Sequence, residues 1–200
     1  MTAGESGVMD MDKSLPIVGI TLGDVAGIGP EVVAKALRHE DVHAVCRPLV
    51  IGDARVLSDP KFATGITDVE VIRYMAGASF APGRLLLLDL QNIDPSEMVM
   101  GAVSPAAGRA AVEYILKAVE LAQAGVIDAI ATAPLNKEAI RMAGYNYIGH
   151  TEILAELTRT QRYTTMLATQ DLRVTHVTRH IPFNEIAVHI TEENVFNTIM

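Results

Sequence analysis

Residues 17–30, IVGITLGDVAGIGP, carry the most informative pattern in this chain. The first six are apolar or β-branched, which predicts a buried strand over 17–22. Glycines then break the pattern, and Pro30 suits the first turn of a helix. Apolar residues recur at helical spacing over 32–37. The stretch therefore predicts a strand, a glycine loop and a helix in succession.

The same alternation of strand and helix continues along the chain. Ser104 and Pro105 suit the cap and the first turn of a long helix, and Gly125 suits its end. Thr151 is expected to cap a shorter helix. Further strands are predicted at 48–51, 69–72, 84–89, 128–133, 164–168 and 173–178, and further helices at 104–123, 136–142 and 151–158. This order predicts an α/β fold with a largely parallel sheet.

Composition excludes several classes of protein. Half of the 200 residues are hydrophobic and a fifth are charged, which is typical of a globular and not a disordered chain. The formal net charge of −8 argues against nucleic acid as a partner, because phosphates favour clustered Lys and Arg. No apolar run approaches the roughly 20 residues that span a membrane. The single cysteine, Cys46, excludes an intramolecular disulfide framework and indicates a cytoplasmic protein.

The two ends of the chain are its least typical parts. Residues 1–14 lack the basic start and apolar centre of a signal peptide, and we expect a disordered leader there. Residues 15–200 are expected to form an α/β segment. Residues 191–200, TEENVFNTIM, begin like a capped helix and then stop, with Phe196 and Ile199 already on one apolar face. We therefore expect this segment to be incomplete and that face to be bare or covered by a partner.

The glycine loop does not match either of the common phosphate-binding patterns. Its glycines at 23, 27 and 29 are spaced G-x-x-x-G-x-G, whereas a dinucleotide-binding turn needs G-x-G-x-x-G. No Gly-Lys-Ser/Thr follows, so a P-loop is also excluded. A loop between a strand and a helix still presents backbone N–H groups to an anion. Ligand contact and a merely tight turn both remain open for this loop.

Several histidines and one lysine are candidates for chemistry. Residues 39–43, HEDVH, match the zinc-protease pattern H-E-x-x-H, but they lie at the end of the first helix and we expect a chance match. His180 follows a predicted strand, where ligands collect in α/β sheets. His150 precedes a predicted helix. Lys137 follows another strand and is either a carboxylate or phosphate ligand or a solvated lysine.

Six blocks, in order, resemble the 4-hydroxythreonine-4-phosphate dehydrogenase family. They are 20–31 (ITLGDVAGIGPE), 132–137 (TAPLNK), 149–152 (GHTE), 166–169 (MLAT), 172–174 (LRV) and 178–182 (TRHIP). The resemblance implies a fold similar to that of the isocitrate and isopropylmalate dehydrogenases, with two α/β segments around a cleft, the second truncated here. It also implies NAD or NADP oxidation of a phosphorylated hydroxy acid, 4-phosphohydroxy-L-threonine, with loss of CO₂, in pyridoxal phosphate biosynthesis.

The resemblance also implies roles for particular residues. A divalent metal (zinc, magnesium or cobalt) is held by three histidines drawn from both subunits of a homodimer with a shared active site, and His180 is one of them. His150 and Thr151 contact the substrate, and Asp24 and Lys137 are further substrate-binding candidates. The other two metal histidines of the family lie beyond residue 200. Where the family has proline in the glycine loop this chain has Val25, which implies a less rigid loop.

Two alternatives remain beside this interpretation. A paralogous group within the family acts on threonate or erythronate 4-phosphate, and residues 135–138 (LNKE) and 153–157 (ILAEL) look closer to that group. Because two of the three metal ligands are missing, the chain is alternatively a non-catalytic binding or assembly module.

Overall fold

A computed structural model of the chain describes residues 15–62, 65, 68–80, 84–179 and 181–200. The predicted leader, 1–14, lies outside the described residues. The chain forms two compact units, Met1–Thr158 and Arg159–Met200. None of the described helices is both long enough and apolar enough to cross a membrane.

The first unit is built on one parallel sheet. Its strands are β1 (Ile17–Thr21), β2 (Arg47–Gly52), β3 (Val69–Ile72), β4 (Leu85–Asp89) and β5 (Ala129–Thr132). They lie in the order β3-β4-β2-β1-β5, and every pairing is parallel. The central strands β2 and β4 are buried almost throughout, which explains their continuous apolar runs. The predicted α/β fold with a parallel sheet is confirmed.

Among the described residues of this unit, six α-helices precede or follow these strands. They are α1 (Gly29–Ala36), α2 (Glu40–Val45), α3 (Ala54–Ser58), α4 (Pro105–Gln123), α5 (Lys137–Met142) and α6 (His150–Leu157). Short 3-10 turns lie at Pro60–Phe62 and Pro95–Glu97. The predicted cap of α4 is confirmed, because the Ser104 hydroxyl oxygen accepts a hydrogen bond from Ala107 N. Gly125, just beyond α4, has a positive φ of 68° and ends the helix as expected.

The main core lies between the sheet and α4. Strands β2 and β4 contribute Leu49, Val50, Ile51 and Leu87, and α4 contributes the fully buried ring of Tyr114. A smaller cluster joins Ile115 and Val119 of α4 to Ile153 of α6. Helix α4 therefore packs against the sheet with one face and against α6 with another.

The prediction that Thr151 caps a helix is wrong. Gly149 occupies the cap position of α6 and contributes no side-chain hydrogen bond. The helix begins one residue earlier than predicted, at His150, so Thr151 lies within its first turn. The backbone of Gly149 is fully extended, with φ of 176° and ψ of −170°, directly before the helical residues of α6.

The H-E-x-x-H match does not lie at the end of the first helix as predicted. His39 has extended backbone angles and starts a separate helix, α2, which contains His43. The Nε2 atom of His43 lies 2.8 Å from the carbonyl oxygen of Leu37, and because a carbonyl only accepts, this nitrogen is a donor. A metal-binding histidine uses a nitrogen lone pair, so this Nε2 is engaged elsewhere.

The second unit consists of short elements. An antiparallel pair, β6 (Met166–Ala168) and β7 (Arg173–Thr175), precedes a 3-10 turn at Phe183–Glu185 and the helices α7 (Ile186–His189) and α8 (Glu192–Ile199). Both strands are shorter than predicted. Thr191 caps α8 by accepting a hydrogen bond from Asn194 N, as expected. Phe196 and Ile199 on α8 are 59% and 74% exposed, so the predicted apolar face is bare in this unit.

Candidate functional site

The loops that follow β1 and β5 meet at the carboxyl edge of the sheet. Ala133 N donates to the carbonyl oxygen of Thr21 at 3.2 Å, and Asp24 N donates to that of Pro134 at 2.8 Å. Because β1 and β5 are parallel neighbours, their carboxyl ends lie side by side. Ligands of open α/β sheets bind at this edge. The two loops therefore form the floor of the candidate site.

Gly23 is required where these two loops touch. Its φ is +65°, in the left-handed region that favours glycine. A Cβ atom at this position would lie 2.3 Å from the Pro134 oxygen and 2.9 Å from the Ala133 oxygen. The glycine loop is thus a tight turn held against backbone. Whether it also contacts a ligand stays a prediction.

Asp24 is a buried carboxyl that shapes this turn. Its Oδ1 accepts a hydrogen bond from Ala26 N at 3.0 Å, and its carbonyl accepts one from Gly27 N. Burial raises the pKa of the Asp24 carboxyl, although the hydrogen bond from Ala26 acts in the opposite direction. These contacts account for Asp24 structurally, and its substrate-binding role stays a prediction.

The His150 side chain contacts the same floor. Its Nε2 lies 3.2 Å from the carbonyl oxygen of Ala133. A carbonyl accepts, so this nitrogen carries the hydrogen and Nδ1 of the neutral ring keeps a lone pair. Burial lowers the pKa of the His150 imidazole below that of a free histidine. Burial thus favours the neutral ring, and in that form Nδ1 is a hydrogen-bond acceptor.

Three further residues were predicted from the sequence to belong to the site. Thr151 is half-buried beside His150 in the first turn of α6. Lys137 is exposed at the first position of α5, a helix whose cap, Asn136, accepts hydrogen bonds from two backbone N–H groups. His180 lies outside the described residues. The structure therefore brings Asp24 and His150 together, because both contact the segment 133–134. The contributions of Thr151, Lys137 and His180 stay predictions.

A metal centre is not complete in the part of the chain that the structure describes. No three His, Cys, Asp or Glu side chains among those residues are placed to hold one ion. The predicted ligand His180 is a suitable donor by type, but a single histidine does not make a site.

Two polar residues at the same edge of the sheet were missed by sequence reasoning. Thr21 ends β1 fully buried, and its hydroxyl has no hydrogen-bond partner among the described residues. Asp53 follows β2 directly, is fully buried, and accepts hydrogen bonds from Arg55 N and from Ile93 N. Their positions in the sequence could have identified them, because both residues are polar and lie at the predicted carboxyl end of a buried strand.

Lowering the pH should destabilise the first unit through His150. The unfolded chain binds a proton at a pKa near 6.5, whereas burial lowers the pKa of the folded imidazole. Between these two values the unfolded state binds more protons, so stability decreases as the pH falls below about 6.5. Urea unfolding between pH 7 and pH 5 should show this loss, and His150→Asn should reduce it. An NMR titration midpoint of His150 at or above that of free histidine would contradict the prediction.

Comparison with known families gives a consistent result. Residues 44–200 match the family model described as pyridoxal phosphate biosynthetic protein PdxA. A relative from Clostridium botulinum, provisionally named D-threonate 4-phosphate dehydrogenase, is 44% identical over 95% of this chain. One of the same name from Symbiobacterium thermophilum is 41% identical over 92% of the chain. The chain spans 57% and 55% of the lengths of these two relatives.

Solved structures agree with the fold. A 4-hydroxythreonine-4-phosphate dehydrogenase from Burkholderia phymatum is 47% identical, with a TM-score of 0.84 over 92% of this chain and 56% of that one. The enzyme of the same name from Klebsiella pneumoniae is 37% identical, with a TM-score of 0.82 over 92% of this chain and 57% of that one. These matches confirm the expected isocitrate/isopropylmalate dehydrogenase-like fold.

Proposed function

Because the chain belongs to the family of the pyridoxal phosphate biosynthetic protein PdxA, we propose that its protein oxidises the secondary alcohol of a phosphorylated hydroxy acid. A bound NAD or NADP would supply the hydride acceptor for this oxidation, and the β-keto acid produced would lose CO₂. The observation that carries the proposal is the contact of the His150 imidazole with the Ala133 carbonyl, just beyond the carboxyl end of β5, at a position where burial lowers the pKa of the ring. Relatives and solved structures named as dehydrogenases of phosphorylated acids support the substrate class.

The role of His150 follows from its tautomer. With Nε2 engaged by a carbonyl, Nδ1 accepts a hydrogen bond from the substrate, and an alcohol hydroxyl is the matching donor. Thr151, one residue further in the same helical turn, adds a hydroxyl that both donates and accepts. Lys137, exposed at the start of α5, is a cation for the phosphate or carboxylate of the substrate. Asp24 holds the turn that forms the floor.

Two substrates fit this description. We propose 4-phosphohydroxy-L-threonine first, in pyridoxal phosphate biosynthesis, in line with the family description and the solved structures. Threonate or erythronate 4-phosphate is the second, and the names of the curated relatives favour threonate 4-phosphate. Both molecules present a phosphate and a secondary hydroxyl.

The remaining proposals concern parts outside the described residues. We propose that His180 is one ligand of a divalent zinc, magnesium or cobalt ion, with the other ligands supplied from outside this chain. The chemistry that such an ion would supply is polarisation of the reacting oxygen. We further propose a homodimer with a shared active site, located in the cytoplasm. A non-catalytic binding or assembly module is the second candidate function, since the described residues provide no complete metal site.

The proposal can be tested by measuring substrate binding to the 200-residue chain. Calorimetric titration should show that both phosphorylated acids bind and that unphosphorylated threonine binds at least about tenfold more weakly, because the phosphate contacts are charge-assisted. His150→Asn should weaken binding of the phosphorylated acids about tenfold or more. His39→Asn, at the exposed cap of α2, is the matched control and should bind normally. Failure of both phosphorylated acids to bind would contradict the proposal.

Turnover separates the catalytic from the non-catalytic function. The purified 200-residue chain is assayed with either substrate, with and without added divalent metal. Reduction of NAD or NADP in this assay would exclude the non-catalytic binding or assembly module. Binding without turnover would favour the module for this chain. The faster-oxidised substrate would identify the group within the family to which the protein belongs.

A further inference from the structure

The second unit contains an open cleft of about 810 Å³. The cleft lies between the segment before β6, the end of β7 and the helix α8. Its lining includes Arg162, Arg179 and His176, together with the neutral polar residues Asn194, Asn197 and Thr198. A volume of this size is ordinary for a small-molecule site. The cleft is therefore large enough for a phosphate or a small organic acid.

The charge of the lining is opposite to that of the chain. No Asp or Glu side chain belongs to the described residues that line the cleft, although the whole chain has a formal net charge of −8. Within the described part of the chain, neither Arg162 nor Arg179 forms an ion pair with a carboxylate. Two guanidinium groups thus line one cavity without a counter-charge. A bound anion would supply the missing negative charge.

Arg179 is held in place by two neighbouring contacts. Its guanidinium carbon lies 5.2 Å from the centre of the Tyr163 ring, and its Nη1 donates to the Thr165 hydroxyl at 2.8 Å. A guanidinium carries five N–H donors in a planar fork that matches phosphate and carboxylate oxygens. Because the side chain is already oriented, less conformational entropy is lost when it binds an anion.

Arg162 joins the two walls of the cleft. Its Nη2 donates to the carbonyl oxygen of Asn197 on α8 at 3.3 Å. The contact fixes one end of the guanidinium and connects the segment before β6 to the helix that forms the opposite wall. Both arginines are therefore anchored by protein contacts and line the same cavity.

We infer that this cleft binds a small, multiply charged oxyanion through Arg162 and Arg179. The ligand class is set by the chemistry of the two guanidinium groups, which a phosphate ester and a polycarboxylate both satisfy. The site lies entirely within the second unit, so the inference does not depend on the dehydrogenase function proposed above.

Titration with two probes tests this inference on the 200-residue chain. At low ionic strength, inorganic phosphate or citrate should bind, and Arg179→Gln and Arg162→Gln should each weaken that binding about tenfold or more. Arg173→Gln removes the same charge from an exposed position of β7 outside the cleft and should change affinity less than about twofold. Arg179→Lys keeps the charge but loses the fork, and its affinity should lie between those of wild type and Arg179→Gln.

The results of these titrations distinguish a phosphate ester from a polycarboxylate as the ligand, and some of them would overturn the inference. Binding of phosphate alone supports a phosphate ester, and binding of citrate alone supports a polycarboxylate. Equal weakening by Arg173→Gln and Arg179→Gln would show a general charge effect and overturn the inference, as would absence of binding of both probes. Because Arg179→Gln loses its contact with Tyr163, circular dichroism checks its fold, and Arg162→Gln provides an independent variant. Loss of binding in His150→Asn would place the probe in the first unit and also overturn the inference.

Discussion

Replacing Gly23 with alanine should lower the free energy of unfolding by at least about 3 kcal/mol. Roughly 1–2 kcal/mol comes from the positive φ of this residue, which disfavours any Cβ. The rest comes from the Pro134 oxygen, 2.3 Å from the added carbon, because backbone on the opposite loop has little freedom to move. Urea unfolding measures the loss, which corresponds to a decrease in Tm of roughly 6–12 °C.

Gly77→Ala is the matched control for this prediction. Gly77 also has a positive φ, of 80°, but no atom lies within 4 Å of the position of an added Cβ. Its substitution should therefore cost only the conformational part, about 1 kcal/mol. Equal destabilisation of the two variants would show that the contact between the two loops contributes nothing.

Gly23→Ala should also weaken substrate binding. The added carbon would press on the Ala133 carbonyl as well as on Pro134, and the Ala133 carbonyl positions the His150 ring. At temperatures where the variant is folded, we expect the affinity for a phosphorylated acid to decrease about tenfold or more, since misplaced groups lose their hydrogen bonds. Calorimetric titration well below the Tm separates this effect from unfolding. Wild-type affinity in the folded variant would contradict the connection between the turn and His150.

Replacing Asp53 with alanine should destabilise the first unit by about 2–4 kcal/mol. The carboxylate caps α3 by accepting from Arg55 N, a contact that typically contributes about 1 kcal/mol. It also accepts from Ile93 N, a buried donor 40 residues away, and leaving that donor without a partner costs about 1–3 kcal/mol. Thermal or urea unfolding of the variant measures the sum.

The ion pair of Asp53 is the smaller part of its contribution. The guanidinium of Arg55 lies 2.7 Å from the carboxylate, but the Arg55 side chain is half exposed and screened by water. Arg55→Gln should therefore cost less than about 1 kcal/mol. Asp94→Ala, which removes an exposed cap from the Pro95–Glu97 turn, should cost a similarly small amount. If Arg55→Gln were as harmful as Asp53→Ala, the ion pair and not the buried Ile93 contact would dominate.

Local patterns predicted the seven described strands and the longer helices, but they missed the short helices α2, α3 and α7 and some boundaries. Strand β2 was found because it is buried on both faces, which requires a continuous apolar run. Helix α4 was found because its apolar spacing, its cap Ser104 and its end at Gly125 all agree. The start of α6 was predicted one residue too late. Threonine is a common helix cap, which favoured Thr151, but Gly149 occupies the cap position.

The candidate site was predictable in part. The order of elements placed Asp24 in the loop after the first strand and His150 ahead of a helix, and the family resemblance implied that both bind substrate. Their actual partners were not predictable, because the contact of His150 with Ala133 joins residues 17 apart and depends on how α6 returns to the sheet. The buried roles of Thr21 and Asp53 were missed for the same reason, since a polar residue after a strand is equally compatible with solvent.

The sequence by itself determined the α/β class and the parallel sheet, because these depend on burial and periodicity that each segment records locally. The family was indicated by the resemblance of six blocks of sequence. Only the tertiary structure decided why Gly23 cannot carry a side chain, which nitrogen of His150 is engaged, and that Arg162 and Arg179 line one cleft. The physical reason is the same in each case. These contacts join segments that are separate in the chain, and their partners depend on the strand order β3-β4-β2-β1-β5 or on the packing of a helix, not on any local pattern.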